Sequence, residues 1–241
     1  YLKNFKKMHL FSSLYEAKLL KRYKRFLADV IFKNGEKKTV YCPNPGSMLG
    51  LTKKNTKIWL EKSQNKKSKY NYIWRLVESD NGELICIDTQ IANKVIKESL
   101  IKRDIPELNY YQKTISEPQI DKGSRLDFLL KSQDDESCFV EVKSVTLSRL
   151  QDISEFPDSV TLRGSKHLSL LARLKIKGFR TIQIYLVQRS GTNYFKIAKD
   201  IDEAYFQSFQ KAKNSGVEIL VLQSLISKKG IDLSKKRPII L

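Results

Sequence analysis

The sequence predicts two units in series, a small all-β barrel followed by an α/β domain with a mixed central sheet. Residues 20–85 are short β-rich segments separated by turn residues, the texture of a compact all-β unit. After residue 85, stretches of helical apolar spacing alternate with strongly apolar strand-like runs, as an α/β core requires. The charge differs too: residues 1–85 hold 19 Lys or Arg against 7 Asp or Glu, and residues 86–241 hold 26 against 19. The boundary is therefore placed between residues 85 and 86. At 241 residues and 41% hydrophobic content, the chain is long enough to bury a core in one large or two small domains. It is also too apolar to be disordered.

In the first unit, residues 26–32 are strand-like, Asn34-Gly35 is a hairpin dipeptide, and residues 38–42 return. Pro43-Asn44-Pro45-Gly46-Ser47 reads as a shaped loop, because proline lacks the N–H that a central strand must donate. Residues 57–60 and 72–77 follow as strands around the polar stretch 61–70. Short strands rich in lysine and aromatics suit a barrel of the oligonucleotide-binding (OB) type. Trp59 and Trp74 are expected in its core.

In the second unit, Ala92, Val95, Ile96 and Leu100 have helical spacing and predict a helix over 91–102. Strand-like segments follow near 114–120, 125–130 and 138–143. Leu168, Leu171 and Leu174 mark a second helix, stopped by Gly178. Residues 181–187 are a strongly apolar strand, 204–215 a third helix ended by Gly216, and 217–222 a last strand. Helix, three strands, helix and strand make an α/β core with a crossover helix. The basic tail 228–237 is expected to be frayed.

The formal net charge is +19, and a field of that size attracts polyanions, nucleic acids above all. No apolar run reaches the ~18 residues a membrane span needs. No signal peptide is visible, so a cytoplasmic location is expected. Cys42, Cys86 and Cys138 are isolated and odd in number, which suits buried thiols in a reducing compartment and excludes a disulfide frame. No Gly-rich nucleotide loop is present, so ATP or NAD is not expected. With 2 histidines in the chain, a Ser/His/Asp hydrolase or a zinc site has little support.

The most informative pattern is Ser124-Arg125-Leu126-Asp127 followed by Glu141-Val142-Lys143. Strand side chains alternate, so Glu141 and Lys143 share a face while Val142 points into the opposite layer. If the two strands pair through the polar loop 131–137, Asp127 approaches Glu141. Two carboxylates and an ammonium in one pocket suit a divalent metal that activates water against a phosphodiester. This helix–acid–acid-x-Lys order resembles the PD-(D/E)xK nucleases. Residues 124–130, residues 141–147, Phe156-Pro157-Asp158-Ser159-Val160-Thr161 and Arg163-Gly164-Ser165-Lys166-His167-Leu168 are similar to signature blocks of the sugar fermentation stimulation (SfsA) family. So are residues 22–28 and Cys42-Pro43-Asn44-Pro45-Gly46-Ser47-Met48. Pro45 stands where that family commonly has Thr.

The resemblance implies an OB-like domain joined to a nuclease-like domain, with DNA binding as the usual attribute. It places Asp127, Glu141 and Lys143 on catalytic positions, with Asp127, Glu141 and Glu98 as ligands of Mg²⁺ or Mn²⁺. The expected partner is single- or double-stranded DNA, with RNA open. The activity is read as metal-dependent phosphodiester hydrolysis. The alternative is a non-catalytic DNA-binding regulator of sugar (maltose) metabolism genes.

Other residues join this reading. Arg163, Lys166 and His167 share a helix face by their spacing and suit a phosphate, with Arg125 beside the first acid. Asp158 is expected to cap that helix or orient Arg163. Glu117 is a further candidate acid. In the barrel, Arg22, Lys24 and Arg25 flank Tyr23 and Phe26, a mixture of charge and stacking that single-strand binders use. Asn44, Gly46 and Ser47 offer backbone donors for a phosphate.

Overall fold

A computed structural model describes residues 9–121 and 123–241; the first eight residues of the predicted 1–85 unit lie outside the described residues. Strand β1 (His9–Leu10) is followed by β2 (Leu14–Tyr23), β3 (Leu27–Phe32), β4 (Lys37–Tyr41), β5 (Lys57–Lys62), β6 (Tyr72–Glu78) and β7 (Leu84–Cys86). Strands β2 to β6 form the barrel in the order β4-β3-β2-β5-β6, closed by a parallel pairing of Tyr41 with Ile73. This is the OB topology. The alternation that builds it is plain in β3, where Ala28 and Val30 point inward while Asp29 faces outward beside Tyr23 and Thr39. The Asn34-Gly35 turn joins β3 to β4, with Gly35 at a φ of 84° that non-glycine residues rarely adopt. Trp74 is fully buried and donates its indole N–H to the Leu76 carbonyl at 3.0 Å. Trp59 is half-buried and lies under the Lys228 ammonium, 3.8 Å from its ring centroid.

The second domain opens with α1 (Thr89–Lys102), capped by Asp88, whose side chain accepts from Gln90 N at 2.9 Å. Next come β8 (Lys113–Ser116), β9 (Gln119–Asp121), β10 (Ser124–Arg125), β11 (Phe128–Lys131), β12 (Ser137–Val145), β13 (Leu147–Leu150) and β14 (Ile153–Phe156). Helix α2 (Leu162–Ile176), β15 (Arg180–Val187), β16 (Tyr194–Ile197), α3 (Glu203–Asn214), β17 (Glu218–Ser227), β18 (Gly230–Leu233) and β19 (Ile239–Ile240) complete the chain. The main sheet has 7 strands in the order β1-β18-β17-β15-β12-β11-β8. Its centre, β12-β15-β17, is parallel, and its flanks are antiparallel. A second sheet of 4 strands, β13-β14-β16-β19, stands beside it.

Helix α1 covers one face of the main sheet with Ile91, Val95, Ile96 and Leu100, in a core that includes Leu76 and Cys86 of the first domain's sheet. Helices α2 and α3 cover the other face with Leu168, Leu171, Tyr205 and Phe209. The two domains therefore share apolar packing. Cys42, Cys86 and Cys138 are buried free thiols. The basic tail is not frayed throughout: Gly230–Leu233 pairs with both β17 and β1, and Gly230 leaves room for the His9 carbonyl.

Candidate active site

The hairpin register brings the acids together. Lys131 stands opposite Ser137 and Phe128 opposite Val140, so Asp127, one residue before β11, arrives beside Glu141. The Asp127 carboxylate accepts from Val142 N at 2.7 Å and from Asn93 Nδ2 at 2.7 Å. Burial, and then the negative charge of Glu141, push its pKa up to about 6.

Glu141 is 2% exposed. Its Oε1 accepts from Lys143 Nζ at 2.6 Å and pairs with His167 Nδ1. Burial opposes its ionisation, but the Lys143 ammonium and the His167 hydrogen bond outweigh that and hold its pKa below the usual value. Arg163 Nε donates to His167 Nε2 at 3.4 Å. That bond assigns the proton to Nδ1, so the imidazole and the ammonium both donate toward one carboxylate oxygen. The other oxygen, Glu141 Oε2, is buried without a hydrogen-bond partner.

The donor set fits a divalent cation. Mg²⁺ takes one or two carboxylates and fills its octahedron with water and substrate phosphate. A buried carboxylate oxygen without a partner, beside a second carboxylate whose ionisation is opposed by burial and by Glu141, matches that demand, since a bound cation would offset the repulsion between the two acids. Among the described residues no cluster of three or more His, Cys, Asp or Glu forms a closed metal cage.

These groups lie at the floor of a cavity of about 920 Å³ between the two domains. Asn93 and the strand ends make the floor, Arg22, Arg25 and residues 44–47 one wall, and residues 155–162 the other. The walls are tied together. Met48 N donates to Asp158 Oδ2 at 2.8 Å, and Ser47 Oγ to the Asp158 carbonyl at 2.5 Å. A Cβ on Gly46 would lie 2.8 Å and 2.9 Å from the Asp158 carboxylate oxygens, so only glycine admits this approach.

Several expected roles are corrected. Glu98 is not among the residues that line the cavity between the domains and pairs instead with Lys102 at 4.0 Å; Asn93 of α1 bonds Asp127. Arg22 is a clasp rather than a free phosphate ligand, since its guanidinium donates to the carbonyls of Asn44, Gly46 and Ser47 at 2.8–3.1 Å. Of the loop's backbone donors, Gly46 N already bonds Asn44 Oδ1, and Met48 N just after it bonds Asp158. Asn44 is buried and donates to the Ile87 carbonyl at 2.8 Å. Asp158 neither caps α2 nor holds Arg163; Thr161 is the cap, accepting from Gly164 N at 3.1 Å. His167 supports Glu141 from within the site. Glu117 lies outside, exposed and 3.8 Å from Arg125.

Arg125, Arg163, Lys166 and His167 do converge, lining a second cavity of about 570 Å³ with Gln119, Gly123 and Ser124. Arg163 and His167 line both cavities, so this basic basin continues into the acid floor. Lys24 and Arg25 are exposed at the β2–β3 turn, and Arg25 lines the larger cavity.

An OB barrel fused to a mixed α/β sheet with two acids and a lysine at its strand ends defines a two-domain protein with a nuclease-like second half. Residues 20–87 match the family model described as the SfsA N-terminal OB domain, and residues 90–230 match the sugar fermentation stimulation protein RE domain. The chain belongs to the sugar fermentation stimulation protein family. The homolog from Ruegeria pomeroyi is 44% identical over 94% of this chain and 99% of its own. That from Pseudoalteromonas atlantica is 42% identical over 97% and 100%. The solved structure of Pyrococcus furiosus SfsA in complex with Ca²⁺ is similar with a TM-score of 0.88, at 25% identity, covering 98% of this chain and 99% of that one.

Proposed function

We infer that this protein binds DNA across the cavity between its domains and hydrolyses phosphodiester bonds there, with Asp127 and Glu141 holding Mg²⁺ or Mn²⁺. One observation carries this: the buried Glu141, the half-buried Asp127 and a lysine share one floor, and a carboxylate oxygen of Glu141 has no partner within the protein. That the similar Pyrococcus furiosus structure is a complex with Ca²⁺ supports a divalent ion as the metal. When bound, the metal supplies Lewis acidity and a water of lowered pKa. Lys143 places a positive charge beside Glu141, where negative charge builds on the phosphoryl oxygens. His167, oriented by Arg163, holds Glu141 in one rotamer. Arg125, Arg163 and Lys166 neutralise flanking phosphates. No helix among the described residues is long and apolar enough to cross a membrane; a cytoplasmic site of action is part of the same reading.

The test is cleavage of labelled single- and double-stranded DNA and matched RNA in Mg²⁺ or Mn²⁺. Wild type should cut, and Asp127→Ala and Lys143→Ala should each lose at least ~100-fold in rate. Cleavage undiminished in both variants, or absent from wild type, refutes it. A second reading, a non-catalytic DNA-binding regulator, is favoured by the Asp127 oxygens, which both already accept hydrogen bonds. Calorimetry separates the two, since that reading requires salt-sensitive DNA binding with no Mg²⁺ or Mn²⁺ uptake.

A further inference from the structure

The β2–β3 turn carries a feature that the acid site does not use. Lys24 and Arg25 sit at φ values of 48° and 60°, a left-handed conformation that costs non-glycine residues energy and is retained where the surroundings enforce it. The enforcement is visible: Arg22 Nε donates to the Arg25 carbonyl at 3.1 Å, and Cys42 N to the Phe26 carbonyl at 2.8 Å. The outcome is that Phe26 projects outward, 42% exposed, while Arg25 faces the cavity. The Tyr41 ring lies nearly parallel to Phe26, with centroids 6.3 Å apart and planes at 15°.

A lone exposed apolar side chain is ordinary on a protein surface. Here a second ring backs the first, and exposed Lys24 and Arg25 adjoin it. Tyr41 also lies on the strand that leads into the Asn44–Ser47 wall of the cavity. The charge fits a polyanion, since residues 1–85 carry 19 basic against 7 acidic residues. β3 and β4 are the second and third barrel strands, the face with which OB barrels meet oligonucleotides.

We propose that Phe26, backed by Tyr41, is a stacking platform for an unpaired base of a nucleic-acid strand whose backbone runs past Arg25 toward the acid floor. Bases inside a duplex are already stacked on each other and cannot reach the rings, so the platform selects single strands or frayed ends. The inference rests on the nucleic-acid half of the proposed function and not on cleavage.

The test therefore runs in EDTA, where metal-dependent cleavage is silent. Wild type, Phe26→Ala and Phe26→Trp are titrated with a single-stranded oligonucleotide containing 2-aminopurine and with the matching blunt duplex. Thermal melts check that the variants fold. Losing one base–ring stack should weaken single-strand binding on the order of tenfold and abolish quenching of the 2-aminopurine emission. Duplex affinity should change less than about twofold, because phosphate contacts carry it, and Phe26→Trp should bind and quench like wild type. Equal single-strand affinity in Phe26→Ala, a parallel loss for duplex, or an unquenched probe on wild type overturns the platform while leaving nucleic-acid binding intact. Wild type binding neither oligomer overturns both readings.

Discussion

Gly46→Ala offers a sharp test of how the two domains are joined. The added Cβ would meet both Asp158 carboxylate oxygens at 2.8 and 2.9 Å and Asn44 Oδ1 at 3.1 Å. Asp158 must swing away and release Met48 N, now held at 2.8 Å. A hydrogen bond to a charged group contributes about 1.5–3 kcal/mol. Gly46 is not in the left-handed region, so alanine returns about 0.4–1 kcal/mol by restricting the unfolded chain. The net loss is about 1–2 kcal/mol, or roughly 2–8 °C in Tm for a chain of this size. Asp158→Ala alone loses the same bond. In that background the collision with the carboxylate is gone, so adding Gly46→Ala should be close to neutral. Urea unfolding of the four proteins completes the cycle. Losses that add to within about 0.5 kcal/mol would show that the two residues are not coupled and that the close approach does not matter.

Three further outcomes are expected. The folded pKa of Asp127 stands near 6, above its ordinary 3.8, so its proton is held more tightly in the folded chain. Its stability contribution is full below about pH 4, is lost as pH rises through about 6, and amounts to on the order of 2–3 kcal/mol; unfolding midpoints in EDTA from about pH 4 to 7 should follow this in wild type and flatten in Asp127→Asn. Asp202→Ala removes the α3 cap on Tyr205 N at 2.9 Å and the bond to Thr161 N at 2.7 Å, at a cost of about 2–3 kcal/mol in urea unfolding. Lys166→Ala should lower the slope of log affinity against log salt for duplex DNA by about 1, measured by fluorescence anisotropy.

The acid floor was legible in the sequence because it depends on period-two geometry and one hairpin. The spacing of Asp127, Glu141 and Lys143 is enough once the strands pair. The α1 contribution was not legible, because an apolar stripe orients a helix without saying which polar residue on its flank is useful. Asn93 and Glu98 lie five residues apart, roughly 140° around the helix, so a site that one reaches is closed to the other. Strand β2 was missed because lysines interrupt its apolar pattern and the register shifts between Leu19 and Lys21, which breaks the alternation. The roles of Arg22 and Asp158 depend on contacts between residues 22 and 47 and between 48 and 158. A basic or acidic side chain in a motif looks the same whether it awaits a ligand or already holds a carbonyl or an amide.

Strand β1 has a consequence for the order in which the chain can assemble. His9 pairs with Ile231 and Leu10 with Gly230, so the first described strand lies against one of the last. During synthesis at about 5–20 residues per second, the barrel residues emerge first, while β1 waits about 10–40 s for its partner. Until then β1 has an unpaired edge. The barrel closes with neighbours close in sequence, whereas the sheet edge that holds β1 is built only after Gly230–Leu233 has been made. The β17–β18 hairpin is thus the step that anchors β1, and a ribosome stalled before residue 230 would hold a finished barrel beside an unfinished sheet.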